Sequence, residues 1–123
     1  MEKIKKLFEP GRIGKLEIPN RIVMAPMATG FANLDGSIGK RYINFLAERA
    51  KGGVGLIETG GTLFTPIEIE PFPLTSNQAR LDNDKFIPEH AELVEIVHMY
   101  GSKIAIQLTP GYGNLADVAK PEI

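Results

Sequence analysis

Three short apolar runs, at 21–26, 54–59 and 103–108, alternate with two longer stretches whose apolar residues recur at helical spacing. The first run is nearly continuous in apolar character, the pattern of a strand buried on both faces. The first intervening stretch reads as a helix from about 39 to 51. There Tyr42, Phe45, Leu46 and Ala50 share a face, and Arg41, Glu48 and Lys51 take polar positions. Gly52-Gly53 stops it, because glycine takes the left-handed conformation at a helix end without steric cost. Pro88 opens the second helix, where its missing N–H has no intrahelical partner. Leu93, Val94, Ile96, Val97 and Tyr100 form its apolar face, and Gly101 ends it.

Ahead of these elements, Pro10-Gly11 and Gly14-Lys15 punctuate residues 7–18 as a small hairpin. The segment from Gly60 to Phe86 carries Pro66, Pro71 and Pro73 with no clear period. It reads as a long loop, of a length that is usually functional. The order is hairpin and then β-α-β-α-β over 21–108, one α/β unit within a single domain spanning 1–123. Such alternation predicts parallel strands covered by helices. Two architectures share it, an open doubly wound sheet and a (β/α)8 barrel, and both place ligands at the C-terminal ends of strands.

Those strand ends hold the candidate chemistry. On 103–108 side chains alternate, so Lys103, Ala105 and Gln107 share one side while Ile104, Ile106 and Leu108 share the other. The all-apolar side is expected to meet the helices, which turns Gln107 into the strand-lined interior. Its amide offers donors and an acceptor, the complement of a planar imide. A Gln satisfied by neighbouring backbone is the competing reading. The first strand ends Ala25-Pro26-Met27-Ala28, and its small residues and proline leave the main chain of Met27 and Ala28 free to face a ligand. The second ends Thr59-Gly60-Gly61, where glycines admit a ring or phosphate close to the backbone. A plain strand end and a plain turn explain these two equally well in isolation.

Charge and composition narrow the field. Fourteen Lys and Arg against fifteen Asp and Glu leave a formal net charge of -1, so a nucleic-acid partner is not expected. No stretch approaches the ~20 apolar residues that span a bilayer, and no membrane role is expected. Cysteine is absent, which excludes disulfides and thiolate metal ligation within the chain. The mildly basic start, Met1 to Lys6, lacks the apolar core of a secretory signal. The expected compartment is the cytoplasm, and no metal site is expected.

Taken together, Leu7-Phe8-Glu9-Pro10 with Ile13-Gly14, Asn20 to Met27, Ala47-Glu48-Arg49-Ala50 with Gly52 and Val54 to Ile57, Gly60-Gly61, and Ile104 to Leu108 resemble the old yellow enzyme family of FMN-dependent oxidoreductases. The glycine pair is most similar to the branch of 2,4-dienoyl-CoA reductases and enoate reductases. The resemblance implies a (β/α)8 TIM barrel with a preceding β-hairpin at its bottom, of which this chain supplies three of eight strands. It implies FMN at the C-terminal mouth. Pro26, Met27 and Ala28 would line the flavin ring, Gly60 or Gly61 would approach it through backbone, and Gln107 would bind its pyrimidine edge. It further implies NAD(P)H as reductant and a small-molecule alkene as substrate, and leaves room for FAD or an iron–sulfur cluster in a further C-terminal region. Two departures stand out. Ala28 replaces a hydrogen-bonding residue common in the family, and Thr109-Pro110-Gly111 replaces the His and Gly-Arg pair that commonly follow the third strand. No catalytic residue is assigned.

Other features compete. Gly111-Tyr112-Gly113-Asn114-Leu115-Ala116 matches a dinucleotide-binding G-x-G-x-x-A pattern, although Pro110 precedes it and an ordinary loop explains it better. His90 and His98 read as surface or boundary residues. Glu58 reads as a structural carboxylate, Asp35-Gly36 as a turn over the barrel mouth, and Glu68 and Glu70 as a solvated loop or an interface. The expected whole is therefore the N-terminal portion of an ene-reductase-like barrel, inactive in isolation. The alternatives are a non-catalytic module that self-associates through open strand edges and a doubly wound nucleotide binder.

Overall fold

The computed structural model describes residues 2–64 and 77–110. The proline-bearing part of the long loop, with Glu68 and Glu70, and the Gly111–Ala116 pattern lie outside the described residues. A short helix α1 (Glu2–Lys5) and a 3-10 turn (Lys6–Phe8) lead into the antiparallel hairpin β1 (Gly11–Ile13) and β2 (Leu16–Ile18). Gly14 takes φ +59° at the hairpin turn, a conformation that side chains rarely adopt. The main-chain N–H of Arg21 donates to the Leu7 carbonyl (2.8 Å), which ties the chain leaving the hairpin to the N-terminal turn.

The centre is a three-stranded parallel sheet in the order β3 (Val23–Met24), β4 (Leu56–Glu58), β6 (Lys103–Ala105). Helix α2 (Lys40–Lys51) connects β3 to β4, and α3 (Ile87–Met99) lies between β4 and β6. The register places Val23, Leu56 and Lys103 side by side, and Met24, Ile57 and Ile104 beside one another on the opposite face. The second face is the covered one. Ile57 belongs to the core with Tyr42, Ile43, Leu46 and Ala50 of α2 and Leu93 and Val97 of α3, and Met24 and Ile104 pack against it.

Polar side chains close the N-terminal end of this sheet. The Asn20 amide donates to the Gly53 carbonyl (2.7 Å) while its Oδ1 accepts the Ile22 N–H (3.1 Å). A side chain on Gly55 would sit 2.5 Å from the Asn20 carbonyl oxygen, so glycine is required there. The buried Ser102 hydroxyl donates to the Val54 carbonyl (2.6 Å). Gly53 and Gly101 take φ +88° and +83° beyond the two helix ends, as the helix-stop reading expects.

Three expectations change. The third strand does not run unbroken from 103 to 108. It breaks after Ala105 and resumes as β7 (Leu108–Thr109), which pairs in parallel with a short strand β5 (Thr62–Leu63). Alternation resets at the break, so Leu108 does not share the helix-facing side and is 57% exposed. The described parts of the expected loop are also structured. They contain β5, a bridge between Leu63 and Arg80, and a 3-10 turn at Asp84–Phe86. Two-residue strands are too short to show a period. Finally, His90 is a core residue of α3, 6% exposed. Its Nδ1–H donates to the Phe86 carbonyl one turn back (2.9 Å), which removes the penalty of burying a ring nitrogen. His98 is exposed, as expected.

Candidate functional site

All six candidate residues lie at the C-terminal end of the central sheet. Pro26, Met27 and Ala28 follow β3, Gly60 and Gly61 follow β4, and Gln107 follows β6. The glycine pair packs against candidates on both neighbouring strand ends. The position a Cβ would take on Gly60 lies 2.3 Å from the Met27 carbonyl oxygen and 3.2 Å from the Ala28 nitrogen. The β3 end and the β4 end therefore touch through backbone, an approach that only glycine permits. The same construction on Gly61 lies 3.7 Å from Gln107 Oε1 and 3.1 Å from Gln78 Nε2. Two side-chain amides thus flank Gly61.

Gln107 is held by its main chain. Its N–H donates to the Thr59 hydroxyl (3.3 Å), and its carbonyl accepts the Thr62 N–H (2.8 Å). Both peptide groups are anchored on one turn, 59–62. The Gln107 side chain stays exposed, like Ala105 two residues earlier on the uncovered face. Met27, half exposed at 50%, also opens onto solvent. Glu58 shares the uncovered face with Ala105, its register partner, and is half-buried.

Sequence reasoning missed two supports of this site. Thr59 is 1% exposed and sits between Gln107 and Tyr42 of α2. Burial pushes the Tyr42 phenol above its ordinary range, and its hydrogen bond with the Thr59 side chain opposes that shift. Gln78 donates from Nε2 to the Gly61 carbonyl (2.8 Å) and fixes the glycine turn from a distant part of the chain. Thr-Gly-Gly after a strand was the visible signal for Thr59. Nothing local to Gln78 marks it, since its partner lies 17 residues away.

Flanking loops are pinned nearby. The Asp35 carboxylate accepts the Ser37 N–H (3.0 Å) and hydroxyl (2.6 Å), and Gly36 takes φ +86°, so the turn forms as read. These Ser37 hydrogen bonds hold the Asp35 carboxyl below its usual range. The Gly36 carbonyl accepts the Arg80 N–H (2.9 Å), and the Arg80 stem covers the space a Gly36 side chain would need. Arg80 in turn donates from Nε (2.9 Å) and Nη2 to the Asp82 carboxylate. Among the described residues, no group of three or more His, Asp or Glu could hold a metal ion, and no helix is long and apolar enough to cross a membrane.

Residues 6–122 match the family described as the NADH:flavin oxidoreductase / NADH oxidase family. The chain belongs to that family. It is 46% identical over 111 residues to an NADH oxidase of Thermoanaerobacter brockii, across 88% of this chain and 16% of that protein. It is 47% identical over 117 residues to a cinnamate reductase of Clostridium sporogenes, across 94% of this chain and 17% of that protein. The chain therefore spans under a fifth of the length of these relatives. Among solved structures, the old yellow enzyme of Pichia sp. AKU4542 aligns over 84% of this chain and 26% of its own, with TM-score 0.74 and 28% identity. These likenesses agree with a partial barrel, and they favour it over the open doubly wound sheet that the strand order alone leaves possible.

Proposed function

We propose that this chain is the flavin-binding N-terminal portion of an FMN-dependent oxidoreductase that passes hydride from NAD(P)H through flavin to an activated alkene. The observation that carries the reading is Gln107, with both peptide groups tied to the 59–62 turn and its amide exposed at the joint C-terminal ends of β3, β4 and β6. An exposed amide on an anchored main chain is preorganised for a partner, which lowers the entropic cost of binding. The donor and acceptor of that amide fit the pyrimidine edge of FMN, and the Gly60 and Gly61 backbone adjoins the amide. Pro26, Met27 and Ala28 would line the ring. FMN supplies two-electron hydride acceptance and donation when bound. The residues described here would bind and orient it. None is assigned as proton donor.

The cinnamate reductase relative supports an enoate-like alkene as the substrate class. NADPH dehydrogenases of Halalkalibacterium halodurans and Clostridium acetobutylicum, 36% and 38% identical, support a nicotinamide reductant. An iron–sulfur cluster would take its thiolate ligands from elsewhere, since this chain has no cysteine. The isolated 123 residues are expected to lack alkene turnover. Turnover by the mass-verified chain with FMN and NADPH would overturn that.

The decisive experiment is FMN titration of the native-length protein, read by quenching of flavin fluorescence. Saturable binding weakened at least about tenfold in Gln107→Leu is expected, as loss of a bonded amide predicts. Binding that Gln107→Leu leaves unchanged would sink the reading. A second reading, self-association, is supported by the exposed apolar Val23, Met27 and Leu108 and by the outer edges of β3 and β6. It predicts a multiple of 13.5 kDa for the 123-residue chain in light scattering; a monomer excludes it.

A further inference from the structure

The break in the third strand leaves Gln107 dependent on a side chain. In the β4–β6 ladder, the Thr59 N–H still donates to the Ala105 carbonyl (3.0 Å). Two residues on, the Gln107 N–H meets the Thr59 hydroxyl at 3.3 Å instead of a carbonyl. Thr59 thus serves Ala105 through its backbone and Gln107 through its side chain. It is 1% exposed, and its bond to the Gln107 N–H is part-buried, so that N–H has its protein acceptor in this hydroxyl. Buried Tyr42 of α2 lies behind it, and the Thr59 side chain opposes the upward shift that burial gives the Tyr42 phenol. The threonine joins the helix layer to the strand end that presents the candidate amide.

We propose that Thr59 is a positioning residue, whose buried hydroxyl holds the Gln107 main chain and so sets where the Gln107 amide meets the flavin. The proposal rests on the FMN reading above. A valine at 59 keeps the volume but leaves the Gln107 N–H without an acceptor. A serine keeps the hydroxyl.

The test uses the native-length protein with Thr59→Val, Thr59→Ser and Tyr42→Phe, each also combined with Gln107→Leu. Three quantities are read: FMN affinity, the absorption spectrum of bound flavin, and hydrogen exchange of the Gln107 amide. Thr59→Val should weaken FMN about tenfold and speed Gln107 amide exchange at least about tenfold, both corresponding to one lost hydrogen bond. Thr59→Ser should recover both to within about threefold, and Tyr42→Phe should fall between. In the Gln107→Leu background Thr59→Val should cost no further affinity, because the two act as one unit. A general loss of stability would lower affinity in both backgrounds and overturns the proposal. So does unchanged binding and exchange in Thr59→Val while the wild type binds FMN. Should Thr59→Val fail to fold, Thr59→Ser and Tyr42→Phe decide: equal Gln107 exchange in Tyr42→Phe and wild type overturns the link through α2. A wild type that binds no FMN overturns the flavin reading and this proposal with it.

Discussion

Gly60 and Met27 meet through backbone alone: a Cβ on the glycine would lie 2.3 Å from the methionine carbonyl oxygen. The obstacle is main chain and cannot swing away. Gly60→Ala must therefore separate the ends of β3 and β4, which is an overpacking defect of about 1–3 kcal/mol. Urea denaturation of the native-length protein should show that loss in the midpoint. A midpoint equal to wild type would mean the two strand ends do not touch.

Gly61 behaves differently although it is the next residue. Its Cβ would meet the Thr109 methyl at 3.0 Å and Gln78 Nε2 at 3.1 Å, both ends of side chains. These can yield, so Gly61→Ala should cost less than about 1 kcal/mol in stability. It should instead displace the Gln78 amide that fixes the turn to which Gln107 is tied, and weaken FMN several-fold. The pair of alanine variants thus separates folding from binding. Equal effects of both on stability would refute the distinction.

Gln78 gives a third prediction. Its bond to the Gly61 carbonyl is partly buried and 2.8 Å long. Gln78→Ala should destabilise by roughly 0.5–1.5 kcal/mol. Gln78→Glu removes the donor and sets a carboxylate against the carbonyl, so it should be worse than alanine at pH 7. Alanine and glutamate variants of equal stability would show that the bond contributes nothing.

What could be read from the chain follows the length of each signal. Helix α2 announced itself over three turns, and Tyr42, Leu46 and Ala50 are buried as their spacing requires. The parallel sheet followed from alternation of elements, and the hairpin from two turn signals. Family resemblance rested on motifs scattered over most of the chain, and the match over 6–122 agrees. The misses share one cause, interactions without local periodicity. The side-chain hydroxyl that interrupts the ladder at Gln107 leaves no trace in an apolar run, so plain alternation places Leu108 on the wrong face. With no metal-type motif around it, His90 reads as a surface or boundary residue, yet it occupies the i−3 position to Leu93 on the buried face and satisfies its nitrogen within its own helix turn. Gln78 and Thr59 act across 17 and 48 residues, a separation that no window of sequence spans.

The last prediction concerns acid. The Asp82 side chain is 6% exposed and accepts from both Nε and Nη2 of Arg80, itself about a third exposed. The Arg80 hydrogen bonds hold the Asp82 carboxyl below its usual range. A carboxyl depressed on folding binds its proton more weakly in the native state than in the unfolded one. Its contribution is therefore complete above the unfolded carboxyl range, near pH 4, and disappears as pH falls through the lower native value. A charge-assisted bond is worth ~1.5–3 kcal/mol, reduced here by solvent at Arg80 to roughly 1–2 kcal/mol. Asp82→Asn should thus lower stability by about that amount at pH 7 and by progressively less below pH 4. Because Arg80 also roofs Gly36, the variant should loosen the 33–37 turn and speed exchange of the Arg80 amide, which donates to the Gly36 carbonyl. Denaturation midpoints of wild type and Asp82→Asn that run parallel from pH 7 to pH 3 would show that the pair carries no linked proton.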